Sequence, residues 1–341
     1  MKELICKLES SKTLERSEYK SLLLCDDRYL HERAATTRQA VFGNKIYMRG
    51  LIEFTNYCKC DCYYCGLRYS NKTVQRYRYT KEQILECCAI GHELGFRTFV
   101  LQGGEDAFFT DEILVSIIES VKTGYPDCAV TLSLGERSRD SLKQLREAGA
   151  DRYLLRQETS NANHYSQLHP TDMNLKSRQD CLWNLKALGF QVGCGFLVGT
   201  PGQTLDHIVD DFLFIKELDP AMVGVGPFIP HSSTPFSGEK QGDLALTLNI
   251  LAILRLIKPT LLLPSTTALG NIHPRGREMG VLAGANVVMP NLSSPETQGK
   301  YLLYDNKSHI GDEPAQFRDR IAAQMAAIDC EVVVARGDYA G

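Results

Sequence analysis

Apolar, β-branched runs alternate with amphipathic stretches along most of the chain after about residue 45. The runs cover residues 46–54, 97–103, 129–135, 151–158, 191–199, 222–230, 261–267 and 285–291. The segments between them carry apolar residues at helical spacing. Strands that alternate with helices indicate a parallel sheet, and eight strands is the number that closes a barrel. We therefore predict an α/β fold, a (β/α)8 TIM-type barrel.

The predicted barrel spans residues 45–292. A short helical N-terminal segment (1–44) precedes it, and a C-terminal extension (293–341) with one helix near 314–328 follows and closes it. Residues of the types that begin and end helices stand between the strands. They predict N-caps at Thr80, Asp111 and Thr204, and C-caps at Gly95, Gly149 and Gly189.

Composition narrows the class of protein. The 341 residues include 38 Lys+Arg against 41 Asp+Glu, a net charge of −3, which argues against a broad basic surface for nucleic acid. No run of 18 apolar residues occurs, so no membrane span is expected. The first twenty residues lack the continuous apolar stretch of a signal peptide. We expect a cytoplasmic protein.

Four of the twelve cysteines lie between Cys58 and Cys65, directly after the first predicted strand. Cys58, Cys62 and Cys65 have the spacing C-x3-C-x2-C. Three thiolates can hold three irons of a 4Fe–4S cluster and leave the fourth iron open to a small chelating ligand. Thiolates also suit zinc, but a four-cysteine zinc site usually joins two C-x2-C pairs, and no distant pair is present. The spacing favours an iron–sulfur cluster, with a zinc knuckle as the alternative and Cys60 as an alternative ligand.

Other unusual side chains also follow predicted strands. Residues 103–105 (Gly-Gly-Glu) follow the second strand, Glu158 ends the fourth, and Thr266 and Thr267 end the seventh. Chemistry in α/β barrels takes place at the C-terminal ends of the strands. Acids, hydroxyls and thiols at these ends are harder to explain by turn chemistry than Gly and Pro alone. The pattern predicts one site at this end of the barrel.

The cysteine spacing, with an aromatic residue before the last cysteine, resembles the signature of the radical S-adenosylmethionine (SAM) superfamily. The resemblance implies that SAM chelates the open iron, and that an electron from the reduced cluster cleaves it to methionine and a 5′-deoxyadenosyl radical. The implied cluster ligands are Cys58, Cys62 and Cys65. The implied SAM-binding residues are Tyr64, Gly103, Gly104, Glu105, Ser133, Leu134, Glu158, Arg178 and Gly199.

Longer stretches between about 45 and 292 resemble the HydE family of FeFe-hydrogenase maturases, among them IEFTNYCKCDCYYCGLR and GTPGQTLDHIVDDFLFIKELDP. The resemblance implies H-cluster maturation on an iron–carbonyl–cyanide–cysteine complex from HydG, with HydF as the downstream scaffold. A ferredoxin or flavodoxin is the expected electron donor. A small anionic substrate needs positive charge, and strand alternation turns Arg156 inward if Glu158 points inward. The predicted substrate site comprises Arg49, Arg156, Thr266, Thr267, Ala268, Tyr301 and Tyr304.

Two alternatives stay open at this point. One is an amino-acid mutase resembling methylornithine synthase, which an unpaired inward acid would favour; with Glu105 and Glu158 assigned to SAM, we expect no second acid. The other is a non-catalytic zinc or iron–sulfur protein. Some relatives carry a second cluster on C-x7-C-x2-C near the C-terminus, and since the tail has only Cys330 we expect that site to be absent.

Overall fold

The strands of the barrel belong to two parallel sheets. The computed structural model describes residues 1–26, 28–307 and 311–341. A six-stranded sheet runs in chain order from β2 to β7, and a three-stranded sheet has the order β8-β1-β9. The strands are β1 (Lys45–Met48), β2 (Gly50–Thr55), β3 (Thr98–Gly103), β4 (Ala129–Ser133), β5 (Arg152–Leu154), β6 (Gln191–Val198), β7 (Met222–Pro227), β8 (Val287–Val288) and β9 (Glu331–Val333).

Isolated parallel bridges connect the two sheets into a ring. They pair Met222 with Leu262, Pro264 with Val287, and Leu51 with Asn291. The predicted TIM-type barrel is confirmed, with shorter strands than expected at its seam. The first predicted strand divides into β1 and β2, and residues 261–267 form bridges rather than a full ladder, because Pro264 has no N–H to donate. The three-segment division of the chain stays a prediction.

Helices cover the outside of the barrel, and three precede it. None of the helices in the described ranges is both long and apolar enough to span a membrane. The helices are α1 (Lys2–Ser11), α2 (Arg16–Leu23), α3 (Arg28–Phe42), α4 (Lys81–Glu93), α5 (Asp111–Gly124), α6 (Arg139–Glu147), α7 (Ala162–Leu168), α8 (Leu175–Ala187), α9 (Leu205–Leu218), α10 (Leu244–Ile257), α11 (Thr267–Ile272), α12 (Gly276–Leu282), α13 (Pro295–Gln298) and α14 (Pro314–Ala326).

Local capping chemistry fixes most of the predicted helix ends. Thr80 and Thr204 are N-caps whose side chains accept hydrogen bonds from the third helical N–H. The predicted cap at Asp111 is wrong by one residue: the Thr110 side chain is the cap, and Asp111 is the first helical residue, paired with Arg137. The three predicted glycines all lie one residue beyond a helix C-cap in the left-handed conformation: Gly95, Gly149 and Gly189.

The C-terminal segment crosses the barrel at the N-terminal ends of the strands. The carbonyl oxygen of Arg336 accepts hydrogen bonds from Thr98 Oγ1 at 2.8 Å and from Arg152 Nη2 at 2.9 Å. Arg152 Nη2 also contacts Asp338 Oδ1 at 2.6 Å. Arg152 is fully buried, so its charge depends on these tail contacts for compensation. The tail thereby leaves the opposite end of the barrel as the open one.

Candidate active site

A cavity of about 350 Å³ extends from the C-terminal ends of the strands into the barrel. Three residues of β7 that face the inside of the barrel, at different heights along its axis, show how deep the cavity is. Met222 contacts Arg49, Gly224 leaves room for Arg156, and the space at Gly226 is bordered by the Thr266 hydroxyl. Each step of two residues along a strand is about 7 Å. Arg49 therefore lies in the deepest of these three layers, one below Arg156.

The cysteine loop forms the mouth of this cavity. The thiols of Cys58, Cys60, Cys62 and Cys65 all line it. The end of β3 holds the start of the loop: Glu105 N–H donates to Cys58 Sγ at 3.4 Å, and Lys59 N–H donates to the Glu105 carbonyl at 2.9 Å. The predicted juxtaposition of the cysteines with residues 103–105 is therefore present.

Gly104 allows this close contact between β3 and the loop. A Cβ at this position would lie 2.2 Å from the Tyr57 carbonyl oxygen and 2.7 Å from the Cys58 Cβ. Two segments of backbone can approach this closely only where one of them has no side chain. Gly104 thus sets the position of the first cysteine.

The spread of the thiols distinguishes between the two metal assignments. Four sulfur ligands of one tetrahedral zinc lie about 3.8 Å apart, given a Zn–S bond of about 2.3 Å. Within the described ranges, no three of the loop's sulfur atoms lie within 4.8 Å of one another, whereas the possible ligand atoms of His92, Asp127 and Cys128, elsewhere in the chain, do. In this conformation the loop does not gather its sulfurs as one zinc ion requires, whereas thiolates that hold an iron–sulfur cluster each bind a different iron.

Hydrogen bonding and burial give the thiols different acidities. The neighbouring Cys60 thiol, together with the Glu105 N–H that donates to the Cys58 sulfur, lowers the pKa of Cys58 to about 7. Burial raises the pKa of Cys65 to about 12 and raises that of Cys62 as well. Cys62 and Cys65 therefore need a bound cation to become thiolates near neutral pH.

Glu158 faces the cavity in a strained conformation. Its φ of 66° lies in the left-handed region, which is unfavourable for a residue other than glycine. Its Oε1 pairs with Arg156 Nη2 at 3.1 Å, while its buried Oε2 has no hydrogen-bond partner. A buried carboxylate oxygen without a partner at a cavity wall is suited to accept a hydrogen bond from a ligand.

A buried carboxylate behind the wall holds the Glu158 segment in place. Asp211 on α9 accepts hydrogen bonds from Gln157 Nε2 at 3.1 Å and from Ser160 Oγ at 2.8 Å. The Gln157 Oε1 in turn accepts from Gly195 N–H at 2.9 Å. These bonds flank Glu158 on both sides and compensate for its backbone strain.

Replacing Asp211 with asparagine is expected to remove a pH dependence of stability. Burial raises the pKa of Asp211 from 3.8 to about 7. Its folded-state pKa lies above the unfolded one, so the native protein loses stability as the pH rises from about 4 to 7, by up to about 4 kcal/mol. Asn retains the Oδ1 acceptor without a charge, so the variant should gain in stability relative to wild type between pH 5 and pH 8. Thermal unfolding across this range measures the difference, and parallel curves for the two proteins would contradict it.

Glu105 and Arg178 form the next part of the wall. Arg178 on α8 is 7% exposed; its Nη1 lies 3.6 Å from Glu105 Oε1 and its Nε lies 3.1 Å from Glu136 Oε1. Glu105 also accepts a hydrogen bond from Glu136 N–H at 3.1 Å and lies 3.3 Å from Lys59 Nζ. The two predicted SAM-binding residues thus meet as a buried pair beside the cysteine loop.

Not every predicted SAM-binding residue lines the cavity. Tyr64 does, and its hydroxyl lies 3.2 Å from His169 Nε2; Gly103 and Ser133 also do. Leu134 packs into the hydrophobic core instead. Gly199 has a φ of 79° in the turn after β6, where a Cβ would lie 2.5 Å from the Gly242 Cα. The last two residues contribute to packing and turn geometry rather than to the wall.

The predicted substrate residues all line the same cavity. Thr266 has a buried hydroxyl with no hydrogen-bond partner, and the buried Tyr301 hydroxyl accepts from Gln102 Nε2 at 3.3 Å. Arg49 is buried and contacts the Gly337 carbonyl of the C-terminal segment at 3.5 Å. The other lining residues of this set are Arg156, Thr267, Ala268 and Tyr304.

Sequence reasoning missed an acid in the cavity wall. Glu53 on β2 lines the cavity, so the expectation of no second inward acid was wrong. The acid is compensated, since Lys307 Nζ lies 2.7 Å and 2.8 Å from its two oxygens and Asn291 Nδ2 donates to it at 2.8 Å. The two-residue alternation that relates Glu53 to Arg49 and Leu51 could have found it. Lys307, in an irregular segment, gives no such signal.

Comparison with known proteins agrees with this geometry. The sequence model of the radical SAM superfamily matches residues 52–215. The FeFe-hydrogenase maturase subunit HydE of Thermotoga maritima is 44% identical over 310 residues, which cover 90% of this chain and 88% of HydE. A 3-methylornithine synthase of Methanosarcina acetivorans is 31% identical over 81% of this chain and 78% of its own length.

Solved structures share the barrel. A crystal structure of methylornithine synthase (PylB) superposes with a TM-score of 0.86 at 26% identity, covering 97% of each chain. A structure of the maturase HydG has a TM-score of 0.78 at 19% identity, over 96% of this chain and 74% of that one, and so shares the fold. The chain belongs to the radical SAM superfamily, which implies a 4Fe–4S cluster and SAM as cofactors. Within it, the chain is a radical SAM enzyme similar to HydE.

Proposed function

We propose that this enzyme acts in maturation of the FeFe-hydrogenase H-cluster, where it reductively cleaves SAM and directs the resulting radical at an iron–carbonyl–cyanide–cysteine precursor. The observation that carries the proposal is the 44% identity to HydE, which extends over about nine-tenths of both chains. HydG as source of the precursor, HydF as recipient, and a ferredoxin or flavodoxin as electron donor belong to the same proposal.

The residues at the mouth fit the two cofactors. Cys58, Cys62 and Cys65 would hold the 4Fe–4S cluster through three irons. When bound, the reduced cluster supplies the electron that cleaves SAM to methionine and a 5′-deoxyadenosyl radical. Arg178 offers a guanidinium suited to a carboxylate, and Glu158 offers an unpartnered oxygen suited to hydroxyl or ammonium groups. Tyr64, Gly103, Gly104, Glu105 and Ser133 line the same part of the cavity and would complete the SAM site.

The deeper part of the cavity suits a small anion. Arg156 contributes positive charge, and Thr266 contributes an unpartnered hydroxyl. Arg49 lies one layer further in and extends the positive potential towards the closed end of the barrel. Tyr301 and Tyr304 cover this region from the C-terminal extension, excluding water from the reacting groups.

The mutase alternative requires an acid that is free to bind a substrate ammonium group. Glu53 is the added acid of this cavity, and Lys307 and Asn291 already occupy its oxygens. An acid held in this way favours the maturase over the mutase.

The twelve free cysteines and the absence of a spanning helix in the described ranges accord with a protein of the reducing cytoplasm, where we place it.

An anaerobic assay tests the proposal in two steps. The protein is loaded with iron and sulfide, reduced and mixed with SAM, and 5′-deoxyadenosine is measured alongside the EPR signal of the cluster. We expect product and a signal that SAM perturbs. The HydG product is then added, and maturation of a hydrogenase is followed; lysine, tested in parallel, should give no methylornithine. A loaded and reducible cluster that cleaves no SAM even with the HydG product would overturn the proposal.

Replacing Arg156 with alanine is expected to separate the two halves of the reaction. Losing a charged donor to the anionic precursor should reduce maturation by about 10- to 100-fold. Uncoupled SAM cleavage should fall by less than about fivefold. The ion pair between Arg156 and Glu158 is partly exposed to solvent, so its loss should disturb the position of Glu158 only slightly. Arg156→Lys keeps the charge beside Glu158 and serves as the control for SAM binding. Equal loss of both activities in Arg156→Ala would argue against a substrate role.

A further inference from the structure

The Tyr64 side chain, which lines the mouth of the cavity, is held by a histidine behind the wall. His169 follows α7 and is 1% exposed, and its Nε2 lies 3.2 Å from the Tyr64 hydroxyl. The two rings meet edge to face, with an interplanar angle of 88° and 5.4 Å between their centroids. In the described part of the chain, the residues that line the cavity include Tyr64 but not His169. His169 therefore reaches a ligand in the cavity through Tyr64 rather than directly.

The second ring nitrogen of His169 fixes the direction of this hydrogen bond. Nδ1 lies 3.0 Å from the carbonyl oxygen of Tyr165, which can only accept, so the proton of the neutral imidazole is on Nδ1. Nε2 then carries a lone pair and accepts from the Tyr64 hydroxyl. Burial lowers the pKa of His169 to about 4, which keeps the ring neutral near pH 7. The Tyr64 hydroxyl is thereby the donor in a bond of one defined geometry.

The surrounding structure holds the His169 ring in place. The ring stacks on Tyr165, with 3.9 Å between the centroids and an interplanar angle of 19°. Pro170 restricts the residue before it to extended backbone, and His169 has a φ of −134° and a ψ of 153°. The Leu168 carbonyl accepts from Tyr63 N–H at 3.0 Å, which joins the end of α7 to the cysteine loop. The acceptor nitrogen is thus fixed before any ligand binds.

We propose that His169 is a positioning residue for SAM and acts by fixing the ring of Tyr64 in the cavity wall. The inference rests on the proposed role of Tyr64 in SAM binding, for which an aromatic face suits the adenine ring. A tyrosine ring that is free to rotate loses conformational freedom when a ligand packs on it, and this loss weakens binding. The bond to His169 removes that freedom in the unliganded protein. Its effect is therefore on the affinity for SAM rather than on the rate of cleavage once SAM is bound.

The competing role for His169 is to hold the cysteine loop for the cluster. Backbone bonds hold this loop independently of the histidine ring. Tyr63 N–H donates to the Leu168 carbonyl at 3.0 Å, and Gly66 N–H donates to the Leu303 carbonyl at 2.9 Å. These bonds lie on both sides of the tyrosine and include no atom of the histidine side chain. The content of iron should therefore survive the loss of the ring nitrogen, and this separates the two roles.

His169→Phe tests the proposal, because it keeps an aromatic ring against Tyr165 but removes the acceptor. The affinity for SAM is measured on cluster-loaded protein, by titrating SAM against the EPR signal of the reduced cluster. The Kd should rise about fivefold, the usual effect of one hydrogen bond. The iron content should equal that of wild type, with little change in the cleavage rate at saturating SAM. Tyr64→Phe removes the same bond from its other end and should give the same shift in Kd.

A double variant distinguishes one shared bond from two separate effects. His169→Phe combined with Tyr64→Phe should weaken SAM binding no more than either change alone, since both remove the same bond. His169→Gln, which can present an amide oxygen near the position of Nε2, should recover part of the affinity. His31→Phe is the matched control: it removes a histidine on α3 whose Nε2 lies 2.8 Å from Asn249 Oδ1, and it should bind SAM as wild type does.

Unchanged SAM affinity in His169→Phe, or additive losses in the double variant, would overturn the proposal. A loss of iron that accompanies the loss of SAM affinity would also overturn it, because the histidine would then act on the cluster loop. Wild-type protein that binds SAM but matures no hydrogenase would instead contradict the proposed function, and the comparison of SAM affinities is independent of that result.

Discussion

Cys62→Ala is expected to reduce SAM cleavage to the level of cluster-free protein. Cys62 is the middle residue of C-x3-C-x2-C and lies buried in the mouth of the cavity. Without it, the loop keeps only two of the three proposed ligands. Iron and sulfide content, the EPR signal of the reduced protein, and 5′-deoxyadenosine formation measure the effect together.

Cys87→Ala is the matched control for that variant. Cys87 is also buried, but it lies on α4 away from the cavity, so its replacement removes a similar volume without touching the loop. The control should load iron and cleave SAM as wild type does. An intact cluster with full SAM cleavage in Cys62→Ala would remove Cys62 from the ligand set.

Gly104→Ala is expected to cause the second large loss, although it replaces no ligand. The added Cβ would lie 2.2 Å from the Tyr57 carbonyl oxygen, and this backbone atom cannot rotate away as a side-chain end could. The start of the cysteine loop must therefore move by about 1 Å, and a displacement of that size at a reaction centre can cost about a hundredfold in rate. Iron content, SAM affinity and the cleavage rate should all fall.

The backbone of Gly104 itself accepts alanine, since its φ is not positive, which isolates the contact as the cause. Gly124→Ala, at the end of α5, is the control: a Cβ there meets nothing within 4 Å. This control should keep both cluster and activity, and a gain in helix propensity should leave its stability unchanged or higher. A Gly104→Ala protein that loads and cleaves normally would show that the loop tolerates displacement from β3.

Local chemistry explains why the helix ends and the barrel could be predicted. Thr80 and Thr204 cap their helices through a single side chain and nearby N–H groups, so a few residues of sequence contain the whole cause. The N-cap predicted at Asp111 was wrong by one position because its neighbour Thr110 is also a capping residue. The backbone conformation decides between the two, and the sequence does not show it. Residues 261–267, the seventh strand predicted from sequence, form only isolated bridges. Pro264 lacks the N–H for a ladder bond, and how much that matters depends on the strand that faces it.

The same distinction between local and long-range causes applies to the residues of the candidate site. Cys58, Glu105 and Glu158 follow directly from strands, and parallel strands bring their ends together, so their meeting could be predicted from order alone. The pairing of Glu53 with Lys307 could not, because it joins residues 254 positions apart through an irregular segment without periodicity. The strain at Glu158 and its support by Asp211 likewise depend on packing between elements.

The Glu53–Lys307 ion pair joins an early and a late part of the chain in the order of synthesis. At ribosomal rates of about 5–20 residues per second, the interval between the two partners lasts on the order of tens of seconds. For most of that time the cysteine loop has been synthesised, whereas Tyr301, Tyr304 and Lys307, which complete the cavity wall, have not. The part of the wall formed by the C-terminal extension is therefore the last part of the cavity to be made.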